Sequence, residues 1–154
     1  MSVKITGLDP IIKRLKKLEN MGISLKPVLN DIGNDILSDI ETNFSSQSGP
    51  KGAWKPLKRA TVMRKIRKRK RTAILQESGI LADFWAVNAT DKKVCVSNNK
   101  AKTKNAFPYG VVHQYGSKNV PARPFLPLDN NGLLEQKLLK KIKKKLGDFI
   151  LSKI

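Results

Sequence analysis

A chain of 154 residues is long enough for one domain with its own core and too short for two of ordinary size. Hydrophobic content of 40% and charged content of 28% exclude wholesale disorder. The 31 Lys and Arg against 12 Asp and Glu give a formal charge of +19, which favours nucleic acid, acidic protein or an anionic surface as a partner and says little about fold.

At the N-terminus there is no apolar leader, and no run approaches the roughly 18 apolar residues of a membrane span. The expectation is a soluble protein made and used without export, with no membrane partner. Val3-Lys4-Ile5-Thr6 alternates and predicts a short strand. Asp9 then reads as an N-cap with Pro10 at the first helical position. Leu8, Ile11, Ile12, Leu15 and Leu18 share a face, with Lys13, Arg14, Lys16 and Lys17 mostly opposite, and Asn20-Met21-Gly22 ends this helix. A second helix starts near Ser24 and carries Leu25, Val28, Leu29, Ile32, Ile36, Ile40 and Phe44 at helical spacing. Gly33 in its middle costs about 1 kcal/mol relative to alanine unless close packing uses the missing side chain. Asp35, Asp39 and Glu41 cluster on the same helix and, in so basic a chain, read as ion-pair partners rather than as an acid/base pair.

Residues 45–58 form a long connection. Its Ser-Ser-Gln-Ser-Gly-Pro opening is flexible, and Trp54-Lys55-Pro56-Leu57 supplies an anchor. Trp54 either holds a neighbouring subunit or folds back onto its own domain. Thr61 caps a third helix that runs through Val62, Met63 and Ile66 into the basic segment. Ile74-Leu75 and Ile80-Leu81 flank Ser78-Gly79, a helix end and a return to the core. Phe84-Trp85-Ala86-Val87-Asn88 and Lys93-Val94-Cys95-Val96-Ser97 predict a hairpin across Thr90-Asp91-Lys92, with Trp85 and Val87 facing the core. Cys95, the single cysteine, excludes an internal disulfide and reads as a buried, inert thiol.

Pro124 to Leu128 predicts another short strand, and Asp129-Asn130-Asn131-Gly132 a turn and helix start. The last amphipathic helix, residues 133–153, puts Leu134, Leu138, Ile142, Leu146 and Ile150 on one face. Lys137, Lys140, Lys141, Lys143, Lys144 and Lys145 cover its polar side. The fold class is α+β: a small, mainly antiparallel sheet packed against long amphipathic helices. The expected organisation is one domain over residues 1–154, with flexible loops at 45–60 and 98–106.

Catalytic chemistry is not in view. His113, the only histidine, sits beside Tyr109 and Tyr115 and reads as a packed, hydrogen-bonded side chain. Gly49-Pro50-Lys51-Gly52 lacks the Gly-Lys-Ser/Thr of a phosphate loop and has a proline where backbone donors are needed. The Asp129 turn lacks the spacing and terminal glutamate of a calcium loop. No enzyme activity, cofactor or metal is expected. Arg64, Lys65, Arg67, Lys68, Arg69, Lys70 and Arg71 put seven cations in eight residues. They form either a solvated helix face or a binding segment for an acidic protein or nucleic acid. The basic runs contain no aromatics, which argues against single-strand recognition.

The most informative stretch is Tyr109-Gly110-Val111-Val112-His113-Gln114-Tyr115-Gly116, then Ser117-Lys118-Asn119-Val120-Pro121-Ala122-Arg123-Pro124-Phe125-Leu126. Pro121 and Pro124 fix φ and push Val120 and Arg123 away from helix. The loop is stiff where Arg123 projects, and it delivers Phe125 and Leu126 to a core. His-Gln-Tyr-Gly followed by Pro-Ala-Arg-Pro-Phe-Leu resembles the C-terminal signature of the bacteriophage virion morphogenesis (tail completion) family. A second block agrees in order and spacing: Phe44, Gly49-Pro50, Gly52, Trp54, Pro56-Leu57, Thr61, Leu75-Gln76, Ser78-Gly79 and Leu81. The two blocks cover roughly residues 40–128, and the basicity of 64–71 and of the last helix departs from what the motifs require.

The resemblance implies a structural protein of phage assembly, for tail completion or head–tail joining, working as a homo-oligomeric ring with other tail or neck proteins. It would reside in the virion, and in the host cytoplasm during assembly. Expected contact residues are Trp54, Tyr115, Arg123 and Phe125. The rival reading is a basic nucleic-acid-binding protein whose Lys/Arg runs grip phosphates.

Overall fold

A computed structural model describes residues 9–129 and 131–153. The Val3–Thr6 segment expected as a first strand lies outside them. Six helices are present among the described residues: α1 (Asp9–Asn20), α2 (Lys26–Ser46), α3 (Arg59–Arg67), α4 (Ile80–Asp83), α5 (Tyr109–Tyr115) and α6 (Gln136–Leu151). Two small two-stranded sheets accompany them, β1 (Ser48–Gly49) with β2 (Gly52–Ala53) and β3 (Ala86–Ala89) with β4 (Val94–Ser97). The class is α+β, as the sequence predicts.

The chain divides into two compact units, one drawn from Met1–Leu37, Val87–Val96 and Leu128–Ile154 and the other from Ser38–Ala86 and Ser97–Pro127. In the first, Leu18 of α1, Leu25 and Ile150 of α6 form a buried cluster with Ile11, Leu15, Ile23, Leu29 and Phe149 around it. Removing these apolar surfaces from water is the main stabilising contribution. The N-terminus of α2 is capped from a distance. Asp91 Oδ1, in the β3–β4 turn, accepts from Leu25 N (2.8 Å), Lys26 N (3.1 Å) and Ser24 Oγ (2.7 Å). That explains why α2 begins at Lys26 rather than at Ser24.

Gly33 has the use its position suggests. A Cβ there would run into Val87 Cγ1 and Val94 Cγ2, so the absent side chain lets the hairpin lie directly on α2. The alternation of this hairpin turns Val87, Val94 and Val96 inward and Cys95 outward. Cys95 is therefore exposed, contrary to the buried thiol expected.

Three other expectations change in detail. Only Leu128 pairs in the predicted 124–128 strand, as a single bridge with Leu134. Pro124 and Pro127 withhold the donors a longer ladder needs. Asp129 Oδ1 instead holds the turn by accepting from Asn131 N and Leu133 N, and α6 starts only at Gln136. Gly79, at φ +75°, precedes the short α4 instead of ending a helix.

The second unit is built on aromatics. Phe44, near the end of α2, meets Trp54 edge-on at 5.6 Å and Phe125 at 5.3 Å, and Trp85 lies 5.9 Å from Phe125. The β1–β2 pair aligns Ser48 with Ala53 and Gly49 with Gly52, which brings Trp54 inward within the stretch expected to be a flexible loop. Its Nε1 donates to Pro124 O at 2.8 Å, and a Cβ at Gly49 would collide with that same carbonyl. Two amide side chains, the buried Gln114 and the half-buried Gln76, close the remaining gaps. Gln114 Oε1 accepts from Phe125 N and Leu126 N, both at 3.0 Å, and Gln76 Nε2 donates to Phe44 O at 2.9 Å.

Candidate interaction surface

The third helix keeps Val62 half-buried but leaves Met63 and Ile66 outside. Its N-cap is Lys58, which makes no side-chain capping bond, so Thr61 does not play that part. Lys65 is buried at 3% exposure, whereas Met63 and Ile66 stand 52% and 54% exposed. The Lys65 ammonium donates to Ala73 O at 2.9 Å. Burial pushes its pKa down, and the nearby charges of Arg64 and Arg123 act the same way against the opposing effect of Glu77.

The flanking cations divide into paired and unpaired sets. Arg64 makes a two-pronged bridge to Glu77, at 2.9 and 2.7 Å, which holds the Glu77 carboxyl below the usual range. Arg71 reaches Asp83 at 2.6 Å. Arg67, Lys68, Arg69 and Lys70 are exposed and make no ion pair among the described residues. The helix does not continue through them. It stops at Arg67, and Arg69 takes φ +51°, a left-handed conformation that breaks the repeat.

Of the four expected contact residues, three lie inside the monomer. Trp54 is 5%, Arg123 7% and Phe125 2% exposed. Trp54 has folded back, the second of its two sequence readings. Arg123 does not project. Its Nε donates to Lys55 O at 3.0 Å and its backbone N–H to His113 O at 2.7 Å, and burial depresses its pKa. Tyr115 alone is exposed, on the same edge of α5 as Val111, with Phe107 also open four residues before it. His113 packs edge-on to Tyr109 with ring centroids 6.2 Å apart. Its Nδ1 is enclosed with no hydrogen-bond partner among the described residues, so the expected bonding is not found there. Burial first, and the Arg123 charge second, lower its pKa and favour the neutral ring.

Sequence reasoning missed Met63, Ile66, Phe107 and Val111 as surface residues. The available signal was apolar spacing of three or four inside segments with few other apolar residues to pack on. The described residues include no group of three or more His, Cys, Asp or Glu placed to hold a metal. None of the described helices is long and apolar enough to cross a membrane.

Comparison with known proteins agrees with the motif blocks. The model of the phage virion morphogenesis family matches residues 5–146. The chain is 25% identical over 145 residues to the Mu-like prophage FluMu G protein 2 of Haemophilus influenzae, a match covering 88% of this chain and 91% of that protein. No solved structure matches the chain.

Proposed function

Since the chain belongs to the phage virion morphogenesis family, with a structural role in phage assembly, we propose that it completes the tail or joins head to tail as a ring around the tail axis. The observation that carries this reading is the family match, which runs through both motif blocks and nearly the whole chain. Specific stable contacts bury about 1,200–2,000 Å² in total, a large demand on a 17.2 kDa chain. Head-to-tail contacts that close into a ring multiply small faces to meet it. In this reading the buried Trp54, Arg123 and Phe125 act as supports. They fix the 121–126 segment, which in turn holds α5 through Gln114 and presents Tyr115 and Val111 to a neighbour.

A charge of +19 on each copy would keep free chains apart at low salt, so assembly would wait for the tail end or an acidic protein as template. A phage lacking this gene should accumulate filled heads and separate tails, and added purified protein should restore infectious particles. Normal infectivity without the gene, or a block at capsid assembly or DNA replication, would sink the proposal. A second reading, non-specific contact with DNA, is favoured by the four exposed, unpaired cations Arg67, Lys68, Arg69 and Lys70.

A further inference from the structure

We infer that the outer face of α3 is a docking site for an acidic segment bearing apolar side chains, supplied by another virion protein. Four residues define the face: Arg59, Met63, Ile66 and Arg67, at i, i+4, i+7 and i+8, all exposed. In an ordinary surface helix the apolar stripe lies inward. Here the inward position goes to Lys65, and two large apolar side chains stand more than half exposed between cations. Scattered exposed apolar residues are common, but a helix that buries a lysine and exposes its two largest apolar side chains, inside the most basic segment of the chain, is a different observation.

The occupant follows from charge and shape. Residues 42–76 contain no Asp or Glu, while carrying Lys51, Lys55, Lys58, Arg59 and the whole of the 64–71 cluster. The same face of a second copy carries the same positive field and is repelled, so two copies do not pair through it. Duplex DNA would use the cations through its phosphates, but it gives Met63 and Ile66 nothing to pack against. An acidic helix or strand with apolar residues at its centre uses both. Its carboxylates meet Arg59, Arg67, Lys68 and Lys70 while its apolar side chains remove Met63 and Ile66 from water. Charge complementarity would speed the encounter and set orientation, and apolar burial would slow release.

The inference rests on the assembly role, since the occupant is taken to be a virion protein, but its test is separate. Two synthetic helical peptides with equal numbers of glutamates serve as probes, one with leucines at helical spacing and one with glutamines in their place. The leucine peptide should bind about tenfold more tightly. Met63→Ser with Ile66→Ser should abolish that preference while leaving the glutamine peptide and a duplex DNA bound as before. Both side chains are exposed, so this variant should melt with the wild type, and the melt is measured alongside.

Equal binding of the two peptides would overturn the inference. So would loss of duplex affinity in the serine variant, which assigns the face to DNA, or a salt-stable dimer that the serine variant dissolves. In lysates of the gene-deleted phage the serine variant should restore few infectious particles. Full restoration by the variant removes this docking face and leaves the assembly role standing. Failure of the wild-type protein to restore them removes the role itself.

Discussion

The two most basic helices of this protein solve the same problem in opposite ways. In α6, Leu138, Ile142, Leu146 and Ile150 are all buried, and lysines occupy the outer side. In α3 a lysine is buried and the apolar pair is outside. Period alone therefore states which residues share a face, and whether that face turns inward depends on what stands opposite. The α6 stripe runs through four turns and has α1 as its neighbour. The α3 stripe has two residues, too little apolar area to decide the orientation of a helix, and its other contacts are polar: Lys65 to the Ala73 carbonyl and Arg64 to Glu77.

The largest effect should come from removing a side chain the α6 stripe buries. Ile142→Ala, at a site 2% exposed, should cost about 2–5 kcal/mol, while Ile66→Ala should stay within about 0.5 kcal/mol of wild type. Urea unfolding of both variants measures the contrast. Comparable losses would mean that Ile66 is packed and α3 is an ordinary helix.

A smaller effect is expected where α6 meets α2. Lys141 Nζ lies 2.9 Å from Asp35 Oδ1, and Lys145 Nζ lies 2.7 Å from Oδ2, close enough for an ion pair though not directed as a hydrogen bond to that oxygen. Burial raises the Asp35 pKa, but the two ammonium groups outweigh it and hold the carboxyl below its ordinary 3.8. The unfolded chain therefore binds the proton first as pH falls. The Asp35 contribution is complete above pH 3.8 and is lost as pH drops through the lower folded value. Asp35→Asn should remove about 1 kcal/mol at neutral pH, since both lysines are partly solvated, and should flatten the acid limb of the stability profile.

The smallest change belongs to Lys65. Its folded pKa lies below 10.5, so the unfolded chain holds more protons between the two values and stability rises with pH through that window. Lys65→Met keeps the buried stem, removes the charge and leaves the Ala73 carbonyl without its donor. Unfolding should shift by less than about 1 kcal/mol, and the alkaline gain should disappear. A large loss would show that the ammonium itself holds α3 in place.

Much of the helical frame was legible in the residues. Asp9-Pro10, the apolar series of α2 and the Leu138–Ile150 repeat are local signals, and they led to α1, α2 and α6 with small errors at the ends. The β3–β4 hairpin was legible for the same reason, since alternation and a turn sit side by side. Features that depend on distant partners were not. Arg123 reads as projecting because its prolines stiffen the loop, but stiffness does not say which way the side chain turns, and the acceptor is Lys55 O, 68 positions away. Trp54 depends likewise on a carbonyl 70 positions on. The Thr61 cap failed because α3 begins two residues earlier, at Arg59, and the exposure of Met63 and Ile66 could not be read from a stripe of so few apolar residues. Of the candidate surface, the basic segment was visible from composition, while its apolar centre required the fold.

The distant cap on α2 also sets an order of events in time. Asp91 is 67 positions from the Ser24 hydroxyl it accepts from. At about 5–20 residues per second of synthesis, the start of α2 would wait roughly 3 to 13 s before its capping carboxylate exists. Until then water alone serves the donors of its first turn, and no hairpin covers Gly33. The helix to which α1 docks comes later still, because α6 spans Gln136–Leu151. The apolar face that α1 buries with α6 in the finished molecule would therefore stay open until the last residues are made.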